Sequence, residues 1–176
     1  MSDETPTATL DTDERLVTRY NEVELNCPRC RARWSPVVAD VINFGTDPKG
    51  REGILRKSIH HSYCPACKYH MEIDHIFVVY DPAENLLLQV RPGWELPAGG
   101  GEEYYWTRLE DAILKYQDLD LRVDVVFGYD QLIEKYLGGQ PAVDAALQRA
   151  AQEREQQLAS GSLAPGVAPP EGIRTA

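Results

Sequence analysis

The chain has 176 residues, with 28 Asp and Glu against 18 Lys and Arg, for a net charge of −10. Excess acid on that scale argues against general affinity for nucleic acid or anionic membranes. No apolar run approaches the ~20 residues needed to span a bilayer. The length fits one domain with appendages, large enough that its core does not depend wholly on metal.

In chain order, Met1 to Glu14 holds five acids and no base, which predicts a disordered acidic leader over 1–14. It lacks the basic-then-apolar pattern of a secretory signal, so a reducing cytoplasm is expected. A domain over 15–139 follows. Val23 and Leu25 alternate with Glu22 and Glu24 and predict a short strand, and Trp34 to Phe44 predicts a second. Asp47-Pro48 marks a helix start, Asp47 as cap and Pro48 in the first turn, with Ile54, Leu55 and Ile59 as the buried stripe. Alternation from Met71 to Tyr80 predicts one long strand. The turn signal Asp81 to Asn85 and a returning strand, Leu86 to Val90, come next.

Arg91 to Gly101 reads as a loop, and Glu102 to Tyr116 as a helix with Tyr105, Leu109, Ala112, Ile113 and Tyr116 on its apolar face. Leu121 to Phe127 should be a strand, and Asp130 should cap a short helix from Gln131 to Leu137. Pro141 opens a last helix, 140–160, whose apolar stripe (Val143, Ala146, Leu147, Ala150, Leu158) is thin. So polar a helix either lies solvated on the domain edge or projects and self-associates through 142–159. Residues 161–176, rich in Pro, Gly and Ala, should form a disordered tail.

All four cysteines fall in two copies of Cys-Pro-x-Cys, at Cys27 and Cys30 and at Cys64 and Cys67. Two intervening residues let a tight turn, a knuckle, aim both sulfurs at one ion, and two such turns complete a tetrahedral four-thiolate site. The proline restricts each turn before metal binds. Disulfides would need an oxidising compartment, and a redox Cys-x-x-Cys normally stands alone. Zn2+ is the expected ion, with iron in a rubredoxin-type site as its competitor.

The paired knuckles flank Val41-Ile42-Asn43, then Asp47-Pro48 and a short helix. A strand ending in Tyr80-Asp81-Pro82 and a later Leu132-Ile133-Glu134-Lys135 complete the pattern. From about Glu22 to Tyr136 the chain resembles the bacterial CpXC domain family. The resemblance implies a zinc-binding module of no established activity, with Cys27, Cys30, Cys64 and Cys67 as its functional residues. Arg31 and Lys68 depart from the glycine that the family tends to carry after each knuckle.

From Cys27 to His70 eight Lys and Arg face three acids, a local +5 that leaves −15 for the remainder. Arg29, Arg31, Arg33 and Lys68 either offset the charge of the bound thiolates or form an anion-facing or partner surface. Trp94 to Gly100 superficially resembles the opening of a Nudix box, but the metal-binding glutamates do not follow. Glu102 and Glu103 read as favourable charges in a helix's first turn. His60, His61, His70 and His75 flank the second knuckle, but four thiolates already close a site and leave no position for water. His75 reads as a packing residue on a strand face.

The expected architecture is α+β: a zinc-ribbon-like pair of knuckles extended into an antiparallel sheet with flanking helices. The expected function is a non-enzymatic, zinc-stabilised binding or adaptor module in a bacterial cytoplasm, with a protein partner. Nucleic-acid binding through 27–70 is the alternative, and an iron redox protein a third.

Overall fold

The computed structural model describes residues 13–161. The expected disordered leader and tail therefore lie outside the described residues, apart from Asp13, Glu14 and Gly161. Asp13 caps a single 3-10 turn, Glu14–Leu16, by accepting the Arg15 N–H at 2.8 Å. Arg15 also reaches Asp118 at 2.6 Å, fastening the start of the domain to the segment that follows Tyr116.

Nine strands follow: β1 Arg19–Glu22, β2 Leu25–Asn26, β3 Arg33–Trp34, β4 Val37–Asn43, β5 His61–Tyr63, β6 His70–Glu72, β7 Phe77–Asp81, β8 Leu86–Arg91 and β9 Arg122–Phe127. Five of them make one sheet in the order β1-β4-β7-β8-β9. Two separate two-stranded antiparallel hairpins, β2-β3 and β5-β6, carry the knuckles.

The main sheet corrects the antiparallel expectation. β4 pairs parallel with β7, and β8 parallel with β9, while β1-β4 and β7-β8 are antiparallel. The reason lies in the connections. Helix α1 (Pro48–Leu55) with the second hairpin links β4 to β7, and helices α2 (Glu95–Ala98) and α3 (Glu102–Tyr116) link β8 to β9. Crossovers of that length bring the chain back in the same direction. β7 and β8 are covered on both faces, which explains their near-continuous apolar runs. Phe77, Val79, Leu86, Leu88 and Val90 meet Ile54 and Leu55 of α1 and Leu132 and Ile133 of helix α4 (Gly128–Tyr136). On the opposite face, Val78 and Leu87 meet Leu16 and Tyr116, and Val125 and Phe127 of β9 meet Ala112 of α3.

Three further expectations change at the boundaries. The long strand from Met71 to Tyr80 breaks at Ile73–Ile76, because β6 pairs within its hairpin and β7 within the main sheet. The Arg91–Gly101 loop contains the helical turn α2, held by an Arg91 Nε–Glu95 Oε2 pair at 2.6 Å. Asp130 is not the cap of α4: Gly128, at φ 80°, lets the chain turn straight from β9 into the helix. The Gln131 side chain then accepts the Phe127 N–H at 2.6 Å, and Asp130 pairs with Lys57. Helix α5 (Gly139–Ala159) divides in two. Ala146 is fully buried and Arg149 reaches Glu52 at 3.0 Å, whereas every described residue from Ala151 onward is exposed.

Asn43 ends β4 and ties three segments together. Its Nδ2 donates to the Leu16 carbonyl at 3.0 Å, its Oδ1 accepts the Gly45 N–H at 2.9 Å, and its own N–H reaches Thr18 Oγ1 at 3.0 Å. Two residues after Gly45, Asp47 caps α1 by accepting the Gly50 N–H at 2.8 Å. Asn43→Ala strands the buried Leu16 carbonyl, which costs about 1–3 kcal/mol. Urea unfolding should show that loss with an unchanged denaturant slope, and metal content should stay at the wild-type level.

Candidate metal centre

Both knuckles hang from one end of the main sheet. β1 ends at Glu22 opposite Val37, where β4 begins, so the first hairpin fills the gap between them. The second hairpin precedes β7, which starts at that same end because it runs parallel to β4. The Val23 N–H donates to the Pro36 carbonyl at 3.0 Å, closing the neck of the first hairpin. The Ile73 N–H donates to the His60 carbonyl at 2.7 Å, closing that of the second. Trp34 Nε1 donates to Ser62 Oγ at 2.8 Å and joins the two.

The knuckles are built alike. In the first, the Arg31 N–H returns to the Cys27 carbonyl at 2.9 Å and the Cys27 N–H donates to the Ala32 carbonyl at 2.8 Å. In the second, Lys68 returns to Cys64 and Cys64 donates to Tyr69, both at 2.9 Å. Arg31 and Lys68 occupy equivalent places at φ 63° and 61°. That left-handed backbone favours glycine, and a residue with a Cβ there costs about 1–2 kcal/mol.

The four sulfurs lie within 4.8 Å of one another. Cys27 faces Cys67 and Cys30 faces Cys64, each pair with sulfurs 3.5 Å apart. Zinc–sulfur bonds of ~2.3 Å in a tetrahedron put sulfurs about 3.8 Å apart, so the donor set fits one such ion. Cys27 and Cys64 are buried, Cys67 is partly covered and Cys30 is exposed. Burial opposes ionisation of Cys27, yet the N–H groups of Cys30 and Arg29 bring its thiol down to about 6. The Cys67 N–H likewise lowers Cys64 against burial. The Ala32 N–H favours a Cys30 thiolate, but the neighbouring sulfurs of Cys64, Cys67 and Cys27 push that thiol up to about 12. Four sulfurs this close share protons unless a cation replaces them.

Arg29, Arg31, Arg33 and Lys68 all come to this end and are exposed. Arg33 lies 4.0 Å from Glu24; Arg29, Arg31 and Lys68 have no ion-pair partner among the described residues. The histidines do not join the sulfur cluster. His61 Nδ1 and His70 Nε2 are 2.9 Å apart across the second hairpin. His75 lies in the break before β7, not on a strand, where its Nε2 meets Asp40 Oδ1 at 2.8 Å.

His60 is the residue that sequence reasoning missed. It is buried at φ 56°, packs edge-on against Phe77, and its Nε2 lies 3.0 Å from both the Ala39 N–H and the Ala39 carbonyl oxygen. Its Nδ1 lies 3.0 Å from Tyr129 Oη, and Tyr129 also reaches the Ile59 carbonyl at 3.3 Å. A neutral ring fits these contacts in either tautomer: Nδ1 donates to Tyr129 while Nε2 accepts the Ala39 N–H, or Nε2 donates to the Ala39 carbonyl while Nδ1 accepts the Tyr129 hydroxyl. These contacts pin the base of the second hairpin to β4 and α4. They join residues 21 and 69 positions apart, which no local pattern encodes.

Burial lowers the His60 pKa to about 4. The unfolded chain, with a histidine near 6.5, takes up a proton that the folded chain refuses until about pH 4. Stability attributable to His60 therefore falls as pH drops through 6.5 and levels off below about 4, by roughly 3 kcal/mol in all. Urea titrations of wild type and His60→Gln between pH 7 and 4 should converge as pH falls, because the variant lacks this term.

A model of the family described as CpXC protein matches residues 25–144, a span that contains all four cysteines, β2 to β9 and helices α1 to α4. Neither the curated proteins nor the solved structures yield a match. The matched span exceeds half of the 176 residues, and the chain belongs to the CpXC family.

Proposed function

We propose that this protein is a non-enzymatic binding or adaptor module whose paired hairpins are fixed by one zinc ion. The observation that carries the reading is the convergence of four sulfurs, from two like-built knuckles, to within 4.8 Å. Four thiolates complete a tetrahedron, which makes the site structural and leaves no coordination position for a substrate or a hydrolytic water. Zinc suits such a set without redox chemistry, and a reducing compartment keeps the thiols available for it. The module offers a partner a rigid pair of exposed turns on a sheet that has its own core.

Thiolate zinc sites contribute ~10–16 kcal/mol of apparent free energy in small modules. Cys27→Ser and Cys64→Ser should each reduce bound metal from one ion per chain to a small residue, unfold the hairpins locally and lower solubility. Elemental analysis of protein purified under reducing conditions checks the ion, which should be zinc and colourless. A red protein with visible sulfur-to-iron absorption would favour the redox alternative. Wild-type melting and metal content in both serine variants would sink the closed-site reading.

A further inference from the structure

Arg31 and Lys68 stand at equivalent places in the two knuckles, and both hold a left-handed backbone that glycine adopts more readily. Local conformation therefore selects against the residues that are there. Their charge is not consumed by the sulfurs, whose hydrogen bonds come from the N–H groups of Arg29, Cys30, Ala32, Ala66 and Cys67. Nor is it consumed by the protein, since Arg29, Arg31 and Lys68 are exposed and have no ion-pair partner among the described residues. Beside them Tyr63 is 47% and Tyr69 41% exposed. Arginine and tyrosine are the residue types that carry binding energy at protein interfaces.

We propose that this end of the paired hairpins docks an acidic, extended segment of another protein. Arg29, Arg31 and Lys68 meet its carboxylates, and Tyr63 and Tyr69 pack against its chain. The proposal rests on the reading of the protein as a metal-fixed binding module and adds the surface and the chemistry of the partner. The charge distribution selects a peptide over nucleic acid. Outside 27–70 the chain carries −15. At physiological ionic strength charges act over about 8 Å. A narrow peptide touching only the knuckle tips senses the cations, whereas a long polyanion must also run past the acidic body.

The test uses the full-length, metal-loaded chain and fluorescence anisotropy, with a labelled glutamate-rich peptide and a single-stranded RNA of equal charge as probes. The peptide should bind saturably, more tightly than the RNA, and should weaken as salt rises. Arg31→Gly with Lys68→Gly should lower peptide affinity at least about tenfold, while metal content holds and the melting temperature stays level or rises, because glycine suits both positions. Arg31→Lys with Lys68→Arg should retain binding. Unchanged binding by the double glycine variant, or tighter binding of RNA, overturns the proposal. A fully metal-loaded chain that ignores the peptide fails this proposal alone, and a chain that takes up no metal fails the reading beneath it.

Discussion

Four sulfurs held within 4.8 Å cannot all be thiolates unless a cation sits among them. Two thiolates 3.5 Å apart repel by about 5 kcal/mol at the effective dielectric constant of protein sites. The geometry is therefore unfavourable for four anions and favourable once one divalent ion is shared among them. With such an ion bound, coordination would clasp the two hairpins together. The hairpins β2-β3 and β5-β6 are two and three residues per strand, too short to persist alone. They are joined to each other by Trp34 and Ser62, the second is tied to the sheet by His60, and each is closed at its neck by a single hydrogen bond.

The remainder of the fold has a different source of stability. β7 and β8 sit at the centre of the sheet, apolar on both faces, with α1, α4 and α5 on one side and α3 on the other. None of the residues in that core is one of the four cysteines. On the proposed reading the molecule combines a sheet stabilised by burial with an appended clasp that coordination would stabilise. The parallel β4-β7 pair is what places both knuckles at one end of the sheet.

The cysteine cluster was legible because knuckle chemistry is local: two residues between cysteines, twice, point to one shared cluster without knowledge of the fold. The Asp47-Pro48 helix start and the helix over Glu102–Tyr116 were legible for the same reason, whereas the single strand expected over Trp34 to Phe44 divides into β3 and β4 at Ser35-Pro36, and β5 was not anticipated. Strand direction was not. Whether β7 returns parallel or antiparallel to β4 is set by a crossover of more than thirty residues, while the apolar run from Phe77 to Tyr80 is the same either way. β1 escaped because its four residues are all exposed and carry no apolar period. His60 escaped because its partners, Ala39 and Tyr129, belong to other elements. In the sequence it was one of four histidines around the second knuckle, and only the assembled sheet buries it.

The separation between a burial-stabilised sheet and a coordination-stabilised clasp is most directly tested by hydrogen exchange of the metal-loaded chain before and after a strong chelator. The account predicts that the N–H groups of Cys27, Arg31, Cys64 and Lys68 lose protection on metal removal, together with both hairpins. Val79, Leu87 and Leu88 should remain protected. Equal loss of protection in the knuckles and in β7 and β8 would show that the ion holds the whole fold, and unchanged knuckle protection would show that it does not hold the hairpins; either result contradicts the account.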